Sequence, residues 1–216
     1  DVAAAGNRVC GTVRLAAFPS AAGALAAPAI AACQESHPDL RVVLGEQEPE
    51  QSLVDLRARR VDVALVYEYN LLKRLPDAGV VLHPLVHEPL LLALPPERHR
   101  MVDAGHPNTL QELRQERWIA PRSDSTLRIV LERACQTAGF APQLDYTVIM
   151  ALVQAGLGVS LIPRMVAEQR AANVCLHPVE DLRLTRTVSV AVRAGSGSDP
   201  AINALLLALR RSARRD

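Results

Sequence analysis

The chain has 216 residues, of which 49% are hydrophobic and 22% charged, a composition typical of a globular protein. Its 24 basic and 23 acidic side chains leave a formal net charge of +1, which argues against a broad attraction for nucleic acid or anionic membranes. No apolar run approaches the roughly 20 residues of a membrane-spanning helix, and the first residues lack a secretory signal pattern. We therefore expect a cytoplasmic protein without a membrane partner.

Strands and helices alternate along the first part of the chain, which predicts an α/β fold with largely parallel sheets. Thr12–Ala17 has the pattern of a strand, and an alanine-rich helix follows it as far as about Ser36. The next predicted elements are a strand at Arg41–Leu44, a helix at Pro49–Arg59 and a buried strand at Val61–Tyr67. Glu48 and Glu50 suit the positive end of the second helix.

Two closely spaced strands are predicted next, at Val80–Leu85 and Pro89–Leu94, with His87 and Glu88 between them as a crossing to a second lobe. The middle of the chain is predicted to begin with a short helix at Leu110–Arg114 and a strand at Trp118–Ala120, with Trp118 in the core. A longer helix follows, capped by Asp124 or Ser125 and ended by Gly139. A strand near Leu144 and a helix at Thr147–Ala155 complete this part.

A glycine turn interrupts the segment Leu152–Pro163, which reads LVQAGLGVSLIP. Gly156 and Gly158 provide the backbone freedom for a helix-to-strand reversal, and a buried strand at Val159–Ile162 follows. The remaining predicted elements are a strand at Val174–Pro178, a strand at Thr185–Val192 that returns to the first lobe, and a last helix with Asp199 as its cap and Pro200 in its first turn.

This order of elements predicts two lobes joined by two crossings. The first lobe comprises residues 11–86 together with 187–216, and the second comprises residues 87–186. Two such crossings form a hinge, and small molecules bind in the cleft between the lobes of such folds.

Catalytic and metal-binding motifs are not found. The sequence contains no GxSxG, HExxH, Walker or dinucleotide-binding pattern, and its histidines form no pair at metal-ligand spacing. The four cysteines are widely separated, so we expect free and mostly buried thiols, while a redox switch between Cys135 and Cys175 remains an alternative. We expect a protein that is not an enzyme and that uses neither a metal ion nor a cofactor.

Six segments resemble, in order and spacing, the effector-binding domain of LysR-type transcriptional regulators. These segments are GTVRLAAFPS, PDLRVVLGE, VDVAL, LHPLVHEPLLLALPPERH, AGFAP and LVQAGLGVSLIP. The resemblance extends from Gly11 to the last helix. It implies a two-lobed fold similar to periplasmic solute-binding proteins, with a central ligand cleft and two hinge crossings.

The resemblance also implies what such a domain does. Members of the family bind a small-molecule effector reversibly, and the binding alters how a tetramer sits on DNA. They contact DNA through an N-terminal winged helix-turn-helix, which is absent from this chain, so residues 1–10 are interpreted as the end of a linker. Family members pair through the first helix of the domain, and we therefore expect a homodimer here and a tetramer for the full-length protein.

The resemblance places the ligand between the loop after the first strand and the start of the second-lobe helix. Helix starts and hydroxyl groups suit a small polar or anionic metabolite, although helix capping alone would also explain the serines. The candidate ligand-binding residues are Phe18, Pro19, Ser20, Ala21, Tyr67, Glu68, Tyr69, Arg122, Ser123, Ser125, Thr126, Tyr146 and Thr147.

Three departures from the family pattern limit this transfer. Pro49 replaces a usual hydroxyl residue at the start of the second helix, and Arg59 replaces a common glycine before the third strand. Between Pro142 and Gly156 the chain is several residues shorter than is usual. Two other functions remain alternatives: a solute-binding protein of a transporter, and an enzyme on a similar two-lobed fold.

Overall fold

The structure is a computed structural model that describes residues 9–72, 78–98, 109–145, 149–170, 174–179 and 182–214. Contacts divide the chain into two compact units. Unit 1 comprises Asp1–Glu68, Arg74–His87 and Thr187–Asp216, and unit 2 comprises Tyr69–Lys73 and Glu88–Arg186.

Nine strands and seven α-helices are present in the described part of the chain. The strands are β1 (Gly11–Ala17), β2 (Leu40–Glu46), β3 (Val63–Tyr69), β4 (Val80–Leu94), β5 (Arg117–Ile119), β6 (Gln143–Asp145), β7 (Ser160–Pro163), β8 (Cys175–Pro178) and β9 (Thr185–Arg193). The helices are α1 (Pro19–Ala21), α2 (Ala27–Ser36), α3 (Pro49–Arg57), α4 (Thr126–Thr137), α5 (Ile149–Gln154), α6 (Arg164–Arg170) and α7 (Pro200–Ser212), with a π-helical stretch at Ala22–Ala26 and 3₁₀ turns at Pro96–Arg98 and Ser196–Ser198.

Unit 1 contains a parallel sheet at its centre. β1 runs parallel to β2, with Gly11 opposite Leu40, and parallel to β3, with Leu15 opposite Val63. The strand order of the main sheet is β2-β1-β3-β9-β4-β7, and β8 pairs with β4. One core cluster of unit 1 consists of Ala16, Leu53, Leu56, Val61, Ala64, Val66 and Ala191. This packing supports the ends of β1 and β3, where the predicted ligand residues lie.

Unit 2 differs from the expectation of largely parallel sheets. β4 pairs in antiparallel fashion with both β7 and β8, so that Leu92 lies opposite Leu161 on one side and His177 on the other. Only the short pair of β5 and β6 is parallel among the strands described there. The expectation was correct for β1, β2 and β3 and wrong for β4, because β7 and β8 both run back along it. One core cluster combines Ala93, Ile119, Val153, Ile162 and Ala167.

A single strand, β4, replaces the two strands predicted at Val80–Leu85 and Pro89–Leu94. The sequence placed His87 and Glu88 between those two strands as a crossing. Glu88 instead lies inside the strand at 1% exposure, because Arg186 and the backbone N–H of Met165 both donate hydrogen bonds to its carboxylate. A buried charge is tolerated when it is paired and hydrogen-bonded in this way.

The predicted helix at Leu110–Arg114 is also wrong. Leu113 N donates to Leu110 O, and Arg114 N donates to Gln111 O, which are the bonds of successive turns rather than of an α-helix. The last helix is confirmed: Asp199 Oδ1 accepts from Ala201 N at 2.8 Å and from Ile202 N at 3.3 Å.

Candidate functional site

The carboxyl ends of β1, β2 and β3 lie at one edge of the sheet in unit 1, because these strands are parallel. This edge brings Phe18, which follows β1, against Tyr67 in β3, with ring centroids 4.8 Å apart and an interplanar angle of 86°. An edge-to-face pair of this kind holds both rings in fixed positions. Two of the predicted ligand residues are therefore in contact with each other.

Glu48 joins this pair and was not among the predicted ligand residues. Its Oε2 accepts a hydrogen bond from the Tyr67 hydroxyl at 2.9 Å. Glu48 is the N-cap residue of α3, as expected for a carboxylate at the positive end of a helix, and its side chain makes no capping bond. Glu48 follows the end of β2 by two residues, at the edge where β1 and β3 also end, and this position could have indicated that it lies near Tyr67.

Asp55 holds the segment that carries Glu48. Its Oδ2 accepts from Gln47 Nε2 at 2.9 Å and its Oδ1 from Gln51 Nε2 at 2.8 Å. Hydrogen bonds from the Arg60 side chain and then from Gln47 hold the pKa of Asp55 below its usual range. Asp55 therefore stays ionised at neutral pH and fixes both sides of Glu48.

Ser20 lies just inside the helix that follows β1. Phe18 is the N-cap of α1 in an extended conformation and makes no side-chain cap bond, while Pro19 occupies the first helical position. Ser20 is half-buried and Ala21 is fully buried. Ser20 thus lies in the first turn after Phe18, the residue whose ring contacts Tyr67.

Glu68 and Tyr69 lie within β3, which continues two residues beyond the predicted end at Tyr67. Because side chains alternate along a strand, Glu68 points to the opposite face from Tyr67 and Tyr69. Tyr69 is only 2% exposed and therefore contributes mainly to packing.

In unit 2, Ser125 is the N-cap residue of α4, with φ −78° and ψ 132°. The sequence predicted Asp124 or Ser125 as the cap of this helix; Ser125 occupies the N-cap position, and its side chain makes no capping bond. The half-buried Thr126 is the first residue of the helix.

Arg122 contacts Asp124 rather than an open space. Its Nη2 lies 2.9 Å from Asp124 Oδ2 and its Nε lies 3.2 Å from Oδ1, with both side chains largely exposed. Ser123 is exposed in the turn between them. Tyr146 and Thr147, the other two predicted ligand residues, lie outside the described residues.

Gly158 is required by close packing in the glycine turn of unit 2. A Cβ at this position would lie 2.4 Å from the carbonyl oxygen of Arg117, while Gly156 has φ +75°. The approach allows Val159 N to donate to Arg117 O, and Ile119 N to donate to Val159 O. Trp118, fully buried as predicted, donates its indole N–H to Leu113 O.

The departures at Pro49 and Arg59 are both visible in unit 1. Pro49 is buried at the first position of α3 and offers no hydroxyl. Arg59 has φ 60°, a conformation in which glycine is normally free of strain. It lies in the turn two residues after the end of α3.

The four cysteines differ in their exposure to solvent. All four cysteines are free thiols, with Cys10 exposed and Cys33, Cys135 and Cys175 buried. Burial raises the pKa of the Cys33 thiol. Within the described ranges, no group of three or more His, Cys, Asp or Glu residues is arranged to hold a metal ion. No described helix is both long enough and apolar enough to span a membrane.

The chain was compared with known proteins. The model of the LysR substrate binding domain family matches residues 6–214. The "Probable HTH-type transcriptional regulator LrrA" of Synechococcus elongatus is 26% identical over 211 residues, covering 94% of this chain and 67% of that protein. The "HTH-type transcriptional regulator GalR" of Pseudomonas putida is 25% identical over 230 residues, covering 97% and 53%.

A solved structure shows the same fold. The "BenM effector binding domain with its effector benzoate" superposes with a TM-score of 0.79 at 20% sequence identity, covering 96% of this chain and 94% of that one. The chain thus spans about half to two thirds of the length of these two regulators, and nearly all of an isolated effector-binding domain. Both of these relatives are named as transcriptional regulators. With a family match that extends over almost its whole length, the chain belongs to the LysR substrate binding domain family.

Proposed function

We propose that this chain is the effector-sensing part of a LysR-type transcriptional regulator. It binds a small polar or anionic metabolite reversibly and does not convert it. The observation that carries this proposal is the family match over residues 6–214. A sensor of this kind shifts a conformational equilibrium by no more than the difference in effector affinity between its two states.

In unit 1, the proposed effector contacts are Phe18, Pro19, Ser20 and Ala21, together with Tyr67 and Glu68. The start of a helix presents N–H groups that favour an anionic group, and the Ser20 hydroxyl adds an adaptable hydrogen bond. Glu48, fixed by Tyr67 at 2.9 Å, provides an acceptor for a donor group on the same ligand. Such a surface suits a metabolite that carries both a carboxylate and a hydroxyl or ammonium group.

In unit 2, the proposed contacts are Ser125 and Thr126 at the start of α4, with Arg122, Ser123 and Tyr69 as further candidates. Tyr146 and Thr147 complete the proposal from the sequence. α4 has 12 residues, so its first turn has the partial positive charge of a full helix. The absence of a capping bond from Ser125 supports a hydroxyl that is used by a ligand instead.

For the full-length protein we also propose DNA binding and an oligomeric state. The relatives are named as HTH-type regulators, and this supports DNA binding through a helix-turn-helix outside these residues. We propose that the domain forms a homodimer through α2, whose Ala27, Pro28 and Ala31 are exposed small residues suited to close packing, and that the full-length protein is a tetramer. Since such a regulator acts on DNA, we propose that it works in the cytoplasm.

A thermal-shift screen of carboxylates, amino acids and aromatic acids tests this function. We expect at least one of these compounds to raise the melting temperature in a saturable manner, because a ligand that binds only the folded state stabilises it. Ser125→Ala should weaken the affinity by about fivefold to tenfold, the effect of one lost hydrogen bond. Gln136→Ala, exposed in the last turn of the same helix, is the control and should leave the affinity unchanged.

Stabilisation by cationic or purely apolar compounds alone would contradict the proposed class of effector. Conversion of a stabilising compound into a product would contradict the role as a sensor and revive an enzymatic function.

A further inference from the structure

A second concave surface in unit 1 is lined by the first residues of β4, the last residues of β9 and one face of α7. It is an open groove of about 800 Å³. Arg193 lines this groove and donates to the carbonyl of Val61, just before β3 begins. The groove is therefore at the amino end of β3, whereas Tyr67 and the proposed effector contacts lie near the carboxyl end of that strand.

The walls of the groove are largely aliphatic. Val81 of β4 is 40% exposed and Leu207 of α7 is 54% exposed, and both line the groove together with Val192 and Leu206. Two apolar side chains this exposed on one concave surface leave hydrocarbon area in contact with water. Covering it with an apolar ligand is favourable in proportion to the area buried.

Two arginines line the groove, and they differ in what they contact. Among the described residues that line it, Arg193 and Arg210 carry charge, and there is no aspartate or glutamate. Arg193 is occupied, since its Nη1 donates to the carbonyls of Leu56 and Val61 and its Nη2 pairs with Asp62 at 3.3 Å. Arg210 is exposed in the last turn of α7 and remains able to bind an anion.

The helix dipole explains an arginine at the end of α7 but not which arginine faces the groove. Arg210 and Arg211 both lie in the last turn of α7, where a cation is favoured by the partial negative charge of the helix end. Only Arg210 lines the groove. The adjacent arginine therefore provides a matched control with the same helix position, the same charge and similar exposure.

We propose that this groove is a second ligand site, separate from the effector site, for a carboxylate with an aliphatic tail. The Arg210 guanidinium binds the carboxylate, as this group does readily through paired N–H donors. The tail lies between Val81 and Leu207, where it removes the exposed hydrocarbon of both side chains from water.

Titration of ¹⁵N-labelled chain with octanoate, followed by amide chemical shifts in NMR, tests this site. We expect saturable shifts that are largest at Val81, Leu207 and their neighbours. Arg210→Gln should raise the dissociation constant about fivefold to tenfold, whereas Arg211→Gln should change it less than about twofold. Octylamine, with the same tail and the opposite charge, should bind much more weakly than octanoate.

A second variant tests the apolar wall. Leu207→Ser alters an exposed side chain, so the fold should be retained, and it should weaken octanoate binding because part of the tail contact is lost. The proposal is overturned if octanoate fails to bind at millimolar concentration, if its largest shifts lie at Ser20 or Tyr67, or if Arg210→Gln and Arg211→Gln have equal effects. Equal binding of octylamine would overturn it as well. None of these results depends on whether the effector site is assigned correctly.

Discussion

Arg186 and Glu88 form a buried ion pair in unit 2, with 2.7 Å between Arg186 Nε and Glu88 Oε1. The two side chains are 3% and 1% exposed. Each lies next to a point where the chain passes from one unit to the other, since unit 1 includes His87 and resumes at Thr187. Glu88 also accepts from the backbone N–H of Met165 at 2.6 Å, so the pair holds the start of α6 against β4 and β9.

Breaking this pair should destabilise unit 2 strongly. Glu88→Gln removes the negative charge that Arg186 contacts in the interior, and we expect the free energy of unfolding to fall by about 3–5 kcal/mol. Urea unfolding followed by the fluorescence of Trp118, which is buried in the same unit, measures the change. The double variant Glu88→Leu with Arg186→Leu should recover much of the loss, because no charge then remains buried.

The exposed pair of Arg122 and Asp124 is the control for this experiment. Arg122→Gln should change the free energy of unfolding by less than about 0.5 kcal/mol, because solvent-exposed ion pairs contribute little. Equal effects of Glu88→Gln and Arg122→Gln would show that the buried pair has no special role in stability.

Gly158 should not tolerate a side chain. Gly158→Ala places a methyl group 2.4 Å from the Arg117 carbonyl oxygen, and the backbone contact between the glycine turn and β5 must open. We expect a loss of roughly 1–3 kcal/mol in the free energy of unfolding, as for other overpacked positions. Gly45→Ala, which meets no atom within 4 Å, is the matched control and should be nearly neutral in the same urea titration.

Acid should weaken unit 1 through Asp62. Burial alone would raise the pKa of this carboxyl, but hydrogen bonds from the side chain and backbone of Arg14 and from Arg193 outweigh it and hold the pKa below the usual value. A lowered carboxyl pKa contributes stability above the unfolded-state pKa of about 3.9, and this contribution is lost as the pH falls through the folded-state value.

The stability difference between the wild-type chain and Asp62→Asn should therefore be full at pH 6 and should shrink below about pH 4. Urea midpoints measured at pH 6 and pH 3 for both proteins test this. Asp124→Asn, which alters an exposed carboxyl, should show a much smaller difference at both pH values. A difference that stays constant with pH would contradict the stabilising role of the Asp62 hydrogen bonds.

Thiol reactivity should separate Cys10 from the other cysteines. Cys10 is exposed, whereas Cys33, Cys135 and Cys175 are buried, and burial raises the pKa of Cys33. Since the thiolate is the reactive form, we expect one fast thiol and three slow thiols with DTNB under native conditions. Denaturation should make all four react rapidly. Fast reaction of Cys135 or Cys175 in the folded protein would favour the redox switch left open by the sequence.

Local signals predicted much of the architecture. The cap at Asp199 with Pro200 behind it, the glycines at 156 and 158 and the alanine-rich segment before Ser36 each depend on a few neighbouring residues. Phe18 and Ser125 were assigned to the ligand site by resemblance, and that role stays a prediction; Phe18 contacts Tyr67, and Ser125 lies at the start of α4.

Partners distant in sequence caused the errors. Glu88 was read as a break because its counter-charge, Arg186, lies 98 residues further along the chain. The contact of Glu48 with Tyr67 was missed because Tyr67 belongs to a different strand, 19 residues away. Neither pairing leaves a local pattern, so propensity and periodicity cannot reveal it.

Isothermal titration of the chain with the compound selected by the thermal-shift screen, followed by NMR analysis of the recovered ligand, tests the central claim most directly. The account predicts saturable binding, recovery of the ligand unchanged, and an affinity about fivefold to tenfold weaker in Ser125→Ala. Chemical conversion of the ligand, or saturable binding that Ser125→Ala and Ser20→Ala both leave unaffected, would contradict it.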